Sequence, residues 1–86
     1  MNGRTLLALN LRRLRLEREI SQERLAADAT MDRAYVSELE RRRGNASVDL
    51  LDKLAKALKV EIADFFRTVE PGARKLKPLP VGRKRR

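Results

Sequence analysis

Three small polar residues, Ser21, Asp32 and Ser47, each stand just ahead of an apolar-periodic run of at most eleven residues. Side-chain oxygens of such residues accept hydrogen bonds from the free N–H groups at a helix start. Their spacing therefore cuts the chain into short helices joined by tight turns. Strand-like alternation and internal repeats are absent, and 86 residues are enough for a single domain. The expected fold class is all-α, a five-helix domain over residues 1–66.

The first helix is expected over about Thr5–Arg18. Leu7, Leu11, Leu14 and Arg18 fall on one face, with Leu6, Leu9, Leu16 and Ile20 widening the apolar surface. Ser21 caps a second helix, about Gln22–Ala29, whose inner residues are Leu25, Ala26 and Ala29. Asp32 caps a third, about Arg33–Arg42, with Val36 and Leu39 inward and Tyr35 at the edge. Gly44 and Asn45 break the pattern, and Ser47 caps a fourth helix over Val48–Leu58. Its buried face is Leu50, Leu51, Leu54, Ala55 and Leu58. A last short helix, about Ile62–Phe66, brings Ile62, Phe65 and Phe66.

After Phe66 the composition changes. Pro71, Gly72, Pro78, Pro80 and Gly82 oppose regular structure, so residues 67–86 are expected to form a disordered basic tail. With no room for a second domain, no effector-binding or cleavable module is expected in these residues.

Composition narrows the chemistry. There is no Cys and no His, which removes disulfides, thiolate metal sites, the commonest general base and the commonest zinc ligand. No enzyme activity, cofactor or metal is expected. The net charge of +9 points to a polyanionic partner, yet residues 67–86 carry +7 of it and residues 1–66 only +2. Charge alone does not make the folded part a nucleic-acid binder. No apolar stretch approaches the roughly 20 residues of a membrane span. The apolar start near Leu6–Leu9 is ended by Asn10 and Arg12 before it resembles a signal peptide. A cytoplasmic protein without membrane contact is expected.

The informative segment is SQERLAADATMDRAYVSEL, Ser21 to Leu39. A short helix, a turn of about three residues and a second short helix make a helix-turn-helix plan. Ala26 supplies the small residue where the two helices touch. Val36 and Leu39 anchor the second helix, while Arg33, Ala34, Ser37, Glu38 and Arg41 lie on its opposite face. Arg33 has the two donors that guanine O6 and N7 accept. Ala34 offers a methyl contact to thymine, and Ser37 bonds a base or a phosphate. Glu38 either accepts from cytosine N4 or pairs with Arg41 or Arg42 within its own helix. Tyr35 packs, with its hydroxyl reaching a phosphate. Arg41, Arg42 and Arg43, at the end of this helix and just past it, read either as a solvated charge run or, in preference, as phosphate contacts.

From about Leu11 to Phe66 the sequence resembles the helix-turn-helix regulators of the Cro and phage-repressor type, the XRE family. SQERLA is similar to the opening of that family's first motif helix, DRAYVSELE to its recognition helix, and NASVDLLDKLAKAL to its fourth helix. The resemblance implies a lambda-repressor-like fold and sequence-specific binding to double-stranded DNA, usually as a homodimer, in a repressor or controller-type regulator. It implies that Gln22 contacts a phosphate and steadies the recognition helix. Arg33, Ala34, Ser37 and Glu38 then face base edges, and Arg41, Arg42, Arg43 and Asn45 meet the DNA backbone. With Asp32 and Tyr35 these residues complete the candidate DNA-binding set. It also implies a partly buried Arg15–Glu40 salt bridge. The family often has Gly where this chain has Glu19, Thr30 and Arg42, positions at helix ends and in the motif turn that favour positive φ. Candidate dimer surfaces are Ile62, Phe65 and Phe66, with Leu58 or Val60, and alternatively Leu6, Leu9 and Leu16. The competing reading is a protein-interaction module that uses the same fold to bind a protein partner.

Overall fold

The computed structural model describes residues 1–69; the expected tail from residue 70 onward lies outside the described residues. Four α-helices are followed by a 3-10 turn: α1 (Gly3–Glu17), α2 (Gln22–Asp28), α3 (Arg33–Glu40), α4 (Val48–Leu58) and the turn Ile62–Phe66. The fifth element is therefore a single 3-10 turn rather than an α-helix. No strand occurs among the described residues.

Each start has a local cause. Asn2 accepts from the Thr5 N–H, so α1 begins two residues earlier than its apolar periodicity suggests. Ser21 and Ser47 accept from the N–H groups of Arg24 and Leu50, as their identity predicts. Asp32 is a correction. It occupies the N-cap position of α3, but its side chain makes no capping hydrogen bond, and the helix opens instead through the Asp32 carbonyl, which accepts from Tyr35 N–H.

All four helices end in the same way. Glu19, Thr30, Arg42 and Lys59 adopt φ between 56 and 67°. After each of them the next N–H reaches back to a carbonyl one turn inside the helix: Ile20 to Arg15, Met31 to Ala26, Arg43 to Glu38, Val60 to Ala55. This is the Schellman closure, usually built with glycine. Here it is built four times without one. Ile20, Met31 and Val60 then lay an apolar side chain against the core, which holds the reversal in place. The same closure ends α3 at Glu40 rather than Arg42. A β-branched residue in this region costs about 1–2 kcal/mol, and glycine gives back about 0.5–1 kcal/mol in chain entropy. Thr30→Gly is therefore expected to raise stability by about 0.5–1 kcal/mol, or roughly 2–8 °C in Tm. Thermal melts check this, and a lower Tm would contradict it.

The core is one cluster: Leu7, Leu11 and Leu14 from α1, Leu25 and Ala26 from α2 with Ala29, Val36 and Leu39 from α3, Leu51, Leu54, Ala55 and Leu58 from α4, and Phe65. Leu50 is only half-buried. Arg18, on the apolar line of α1, lies at the protein's edge and donates from Nε to the Leu58 carbonyl at 2.6 Å, closing the end of α4. Leu58 and Phe65 are fully buried, which removes both from any dimer surface. Phe66 is 38% exposed, while Ile62 and Val60 are half-buried.

Asn10 sits among these leucines with no exposed surface. Its Nδ2 lies 3.0 Å from each of the Leu6, Phe65 and Arg67 carbonyls, and its Oδ1 accepts from Arg13 at 3.0 Å. One amide thus meets backbone carbonyls at the end of the 3-10 turn and just after it. Asn10→Ala takes the side-chain donor from the Phe65 and Arg67 carbonyls and is expected to cost about 1–3 kcal/mol, read as a lower urea midpoint. An unchanged midpoint would show that water replaces the amide.

Candidate nucleic-acid interface

The helix-turn-helix pair is tied together, and to α1, by one buried carboxylate. Glu40, at the last turn of α3, has a side chain only 3% exposed. Its Oε2 accepts from Arg15 Nε at 2.7 Å, and its Oε1 accepts from Arg15 Nη2 at 3.1 Å and from Gln22 Nε2 at 3.0 Å. Arg15 Nη1 donates onward to the Ile20 carbonyl at 2.9 Å. The expected Arg15–Glu40 bridge is present and is two-pronged. The hydrogen bond to Glu40 holds the Arg15 guanidinium pKa above its ordinary value, with burial working against it. Through this carboxylate, α1 and the first residue of α2 fix the pitch of α3.

With Val36 and Leu39 buried, the opposite side of α3 faces outward. Arg33, Ala34 and Arg41 are exposed, Ser37 and Glu38 half-buried, and Arg42, Arg43 and Asn45 exposed in the loop that follows. Gln22 stands at the near end of α2, half-buried because its amide is committed to Glu40. None of the candidate residues, at the start of α2, along α3 and in the loop after it, is buried within the described residues.

Charge is segregated, although it nearly cancels in the folded part. Arg13, Arg15, Arg18, Arg24 and Arg67 each lie within 4.0 Å of a carboxylate. Arg33, Arg41, Arg42 and Arg43 occur in none of the five ion pairs among the described residues. Glu38 is unpaired as well, so the alternative of an intrahelical partner in Arg41 or Arg42 is not realised. Against the unpaired carboxylates of Asp32 and Glu38, these four guanidinium groups leave α3 and the loop after it net positive.

Two features escaped the sequence reading. The Tyr35 hydroxyl, expected to reach a phosphate, donates instead to the Asn45 carbonyl and ties α3 to its loop. Asn45 Oδ1 accepts from Arg4 Nη2 at 2.5 Å, which brings the start of α1 to the edge of this surface. No periodicity singles out Arg4, since its partner lies 41 residues away.

Residues 11–65 match the helix-turn-helix family. The chain belongs to that family, in its Cro and phage-repressor branch. It is 39% identical over 66 residues to the control protein C.BamHI of Bacillus amyloliquefaciens, covering 76% of this chain and 82% of that one. Its fold superimposes on the restriction-modification controller protein C.AhdI of Aeromonas hydrophila with a TM-score of 0.71 at 38% identity, over 73% of this chain and 96% of the other. The hypothetical transcription factor NHTF from Neisseria gives a TM-score of 0.74 at 37% identity, covering 91% and 86%. This helix-turn-helix chain shares with those proteins the helical scaffold that carries α3.

Proposed function

We propose that α3 of this helix-turn-helix protein is the recognition helix of a sequence-specific transcriptional regulator, which enters the major groove of duplex DNA. As a member of the Cro and phage-repressor branch, the chain is a DNA-binding regulator. The observation that carries the finer reading is the outward side of α3 together with the loop after it: Arg33 opens the helix, Arg41, Arg42 and Arg43 follow it, all four are exposed and in no ion pair among the described residues, and Glu40 locks the pitch of the helix. Arg33 opens the helix and reads a base edge. Ala34, Ser37 and Glu38 complete the base-facing set, while Arg41, Arg42, Arg43 and Gln22 meet phosphates. Asp32 and Asn45 lie at the two ends of this surface. The similarity to controller proteins supports a role in the cytoplasm as a small repressor or controller, with no catalytic step.

One copy covers few base pairs. We assign a two-fold dimer through the exposed Phe66 with half-buried Ile62 and Val60, the apolar residues the core leaves accessible around the 3-10 turn. Two copies of α3 then meet successive major-groove faces about 34 Å apart. Selection of bound duplexes from a random library tests this directly. An inverted repeat with half-sites about 10 base pairs apart is expected. Recovery of no enriched sequence would overturn the reading.

The basic residues beyond the described chain add affinity without sequence preference. Truncation after Val69 keeps the Asn10–Arg67 hydrogen bond and removes seven of the tail's basic residues. The truncated protein is expected to select the same site, bind it more weakly and show a flatter salt dependence, by about 0.9 in slope for each phosphate no longer neutralised. Identical binding of both forms at low and high salt would remove the tail from the interface.

A further inference from the structure

Asn45 is held from two sides. The Tyr35 hydroxyl of α3 donates to its backbone carbonyl. Arg4 of α1 donates from Nη2 to its side-chain Oδ1 at 2.5 Å and from Nε to the neighbouring Gly44 carbonyl at 3.4 Å. The loop that carries Asn45 is also fixed from α3, and Ala46 packs against the core. Arg42 reverses the chain at φ 67°, and Gly44 lies so close to the helix that a Cβ there would meet Leu39 Cδ2 at 2.8 Å. Arg4 supplies the tie from α1.

The chemistry of this pairing has a direction. A guanidinium has only donors, so the atom of the Asn45 amide that faces it is the oxygen, and the NH2 group is turned away. Asn45 is exposed, and its Nδ2 donates to no protein group among the described residues. It follows Arg41, Arg42 and Arg43, on the same surface. An outward NH2 beside three unpaired arginines is suited to a phosphate oxygen.

We propose that Arg4 is a positioning residue for DNA binding: by fixing the Asn45 amide with its NH2 outward, it makes Asn45 a donor to a backbone phosphate. The interface thereby extends to α1, beyond the matched residues 11–65. This inference rests on the DNA-reading function above.

The test uses the full-length protein, the duplex recovered by selection, and the variants Arg4→Ala, Arg4→Lys, Asn45→Ala and Arg4→Ala/Asn45→Ala. Arg4→Ala is expected to weaken binding about 2- to 12-fold per half-site, the worth of one hydrogen bond, with Tm nearly unchanged. Asn45→Ala should weaken it to the same degree. The double variant should bind no more weakly than Asn45→Ala, because Arg4 acts through that side chain. Arg4→Lys, which still donates to Oδ1, should recover most of the affinity. The salt slope should stay constant, since a neutral amide releases no counterion. Parental affinity in Arg4→Ala overturns the inference. So does a loss that persists in the Asn45→Ala background with a slope reduced by about 0.9, which would make Arg4 a phosphate ligand in its own right. If the parent protein itself binds no selected duplex, the proposed function fails and this inference with it, an outcome distinct from both.

Discussion

Glu40→Ala is expected to lower the unfolding free energy by about 3–5 kcal/mol, more than any other substitution proposed for this protein. The reason is what it leaves behind. Arg15 is 8% exposed, and among the described residues its charge is balanced by Glu40 alone. Removing the carboxylate strands a buried guanidinium and leaves the Gln22 amide without its acceptor. For a domain of this size each kcal/mol moves Tm by about 4–8 °C, so the variant should melt at least about 12 °C below the parent. Small domains hold only about 5–15 kcal/mol in total, so a substantial fraction would be unfolded near physiological temperature. Glu40→Gln should recover little, because its amide presents an NH2 group to a site filled with donors. The paired replacement Arg15→Met/Glu40→Leu removes both charges and should restore most of the stability. It should not restore DNA binding to the same extent, since the polar tie from Gln22 to α3 is gone. Thermal melts of the four proteins check the argument. A Tm for Glu40→Ala within about 4 °C of the parent would show that the cavity admits enough water to solvate Arg15.

The same residues show how far the sequence carries. The limits of α4 were legible because three independent signals agree there: Ser47 as a cap, Asp49 in the first turn and an apolar face that stops at Leu58. The core positions of α2 and α3 followed from helical spacing in the same way. The Arg15–Glu40 bridge did not. Two charged residues 25 positions apart have no local relation, and only the family resemblance joined them. Positive φ at Glu19, Thr30 and Arg42 also came from that resemblance. Lys59 was missed although its neighbour Val60 has the apolar character that follows such a reversal. Asn10 was read as the residue that ends an apolar run, because a polar side chain on a leucine face carries no mark of what it will bond. Its partners, the Phe65 and Arg67 carbonyls, are backbone atoms, about which residue identity says nothing. The Tyr35 hydroxyl was hidden for the same reason, and Arg4 because its partner, the Asn45 side chain, lies 41 residues away. Apart from the local reversal at Lys59, the missing information is a polar interaction between separate elements, set by the completed packing of helices that were themselves foreseeable.

Arg33→Ala is expected to weaken binding to the selected site by about 5- to 150-fold for each half-site, the worth of a bidentate contact to guanine of about 1–3 kcal/mol. Arg33 is the first residue of α3, exposed and free of any ion pair among the described residues, so its removal should leave Tm essentially unchanged. The diagnostic result is a change in preference rather than in affinity alone. With the guanidinium gone, duplexes carrying each of the four base pairs at the affected position should bind nearly alike, while preference elsewhere in the half-site is kept. Arg42→Ala should do the reverse: affinity falls uniformly across those duplexes, and the salt slope drops by about 0.9 for the one phosphate left without its cation. Titrations of labelled duplexes at several salt concentrations separate the two. If Arg33→Ala also lowers every duplex equally, Arg33 is a phosphate ligand, and the base-reading residues lie further along α3, at Ser37 and Glu38. The electrostatics favour the first outcome. Arg41, Arg42 and Arg43 already gather charge at the far end of the helix, where a further phosphate ligand would add little discrimination, whereas Arg33 stands alone at the start of α3 with the reach of a long side chain and a fork of donors matched to a purine edge.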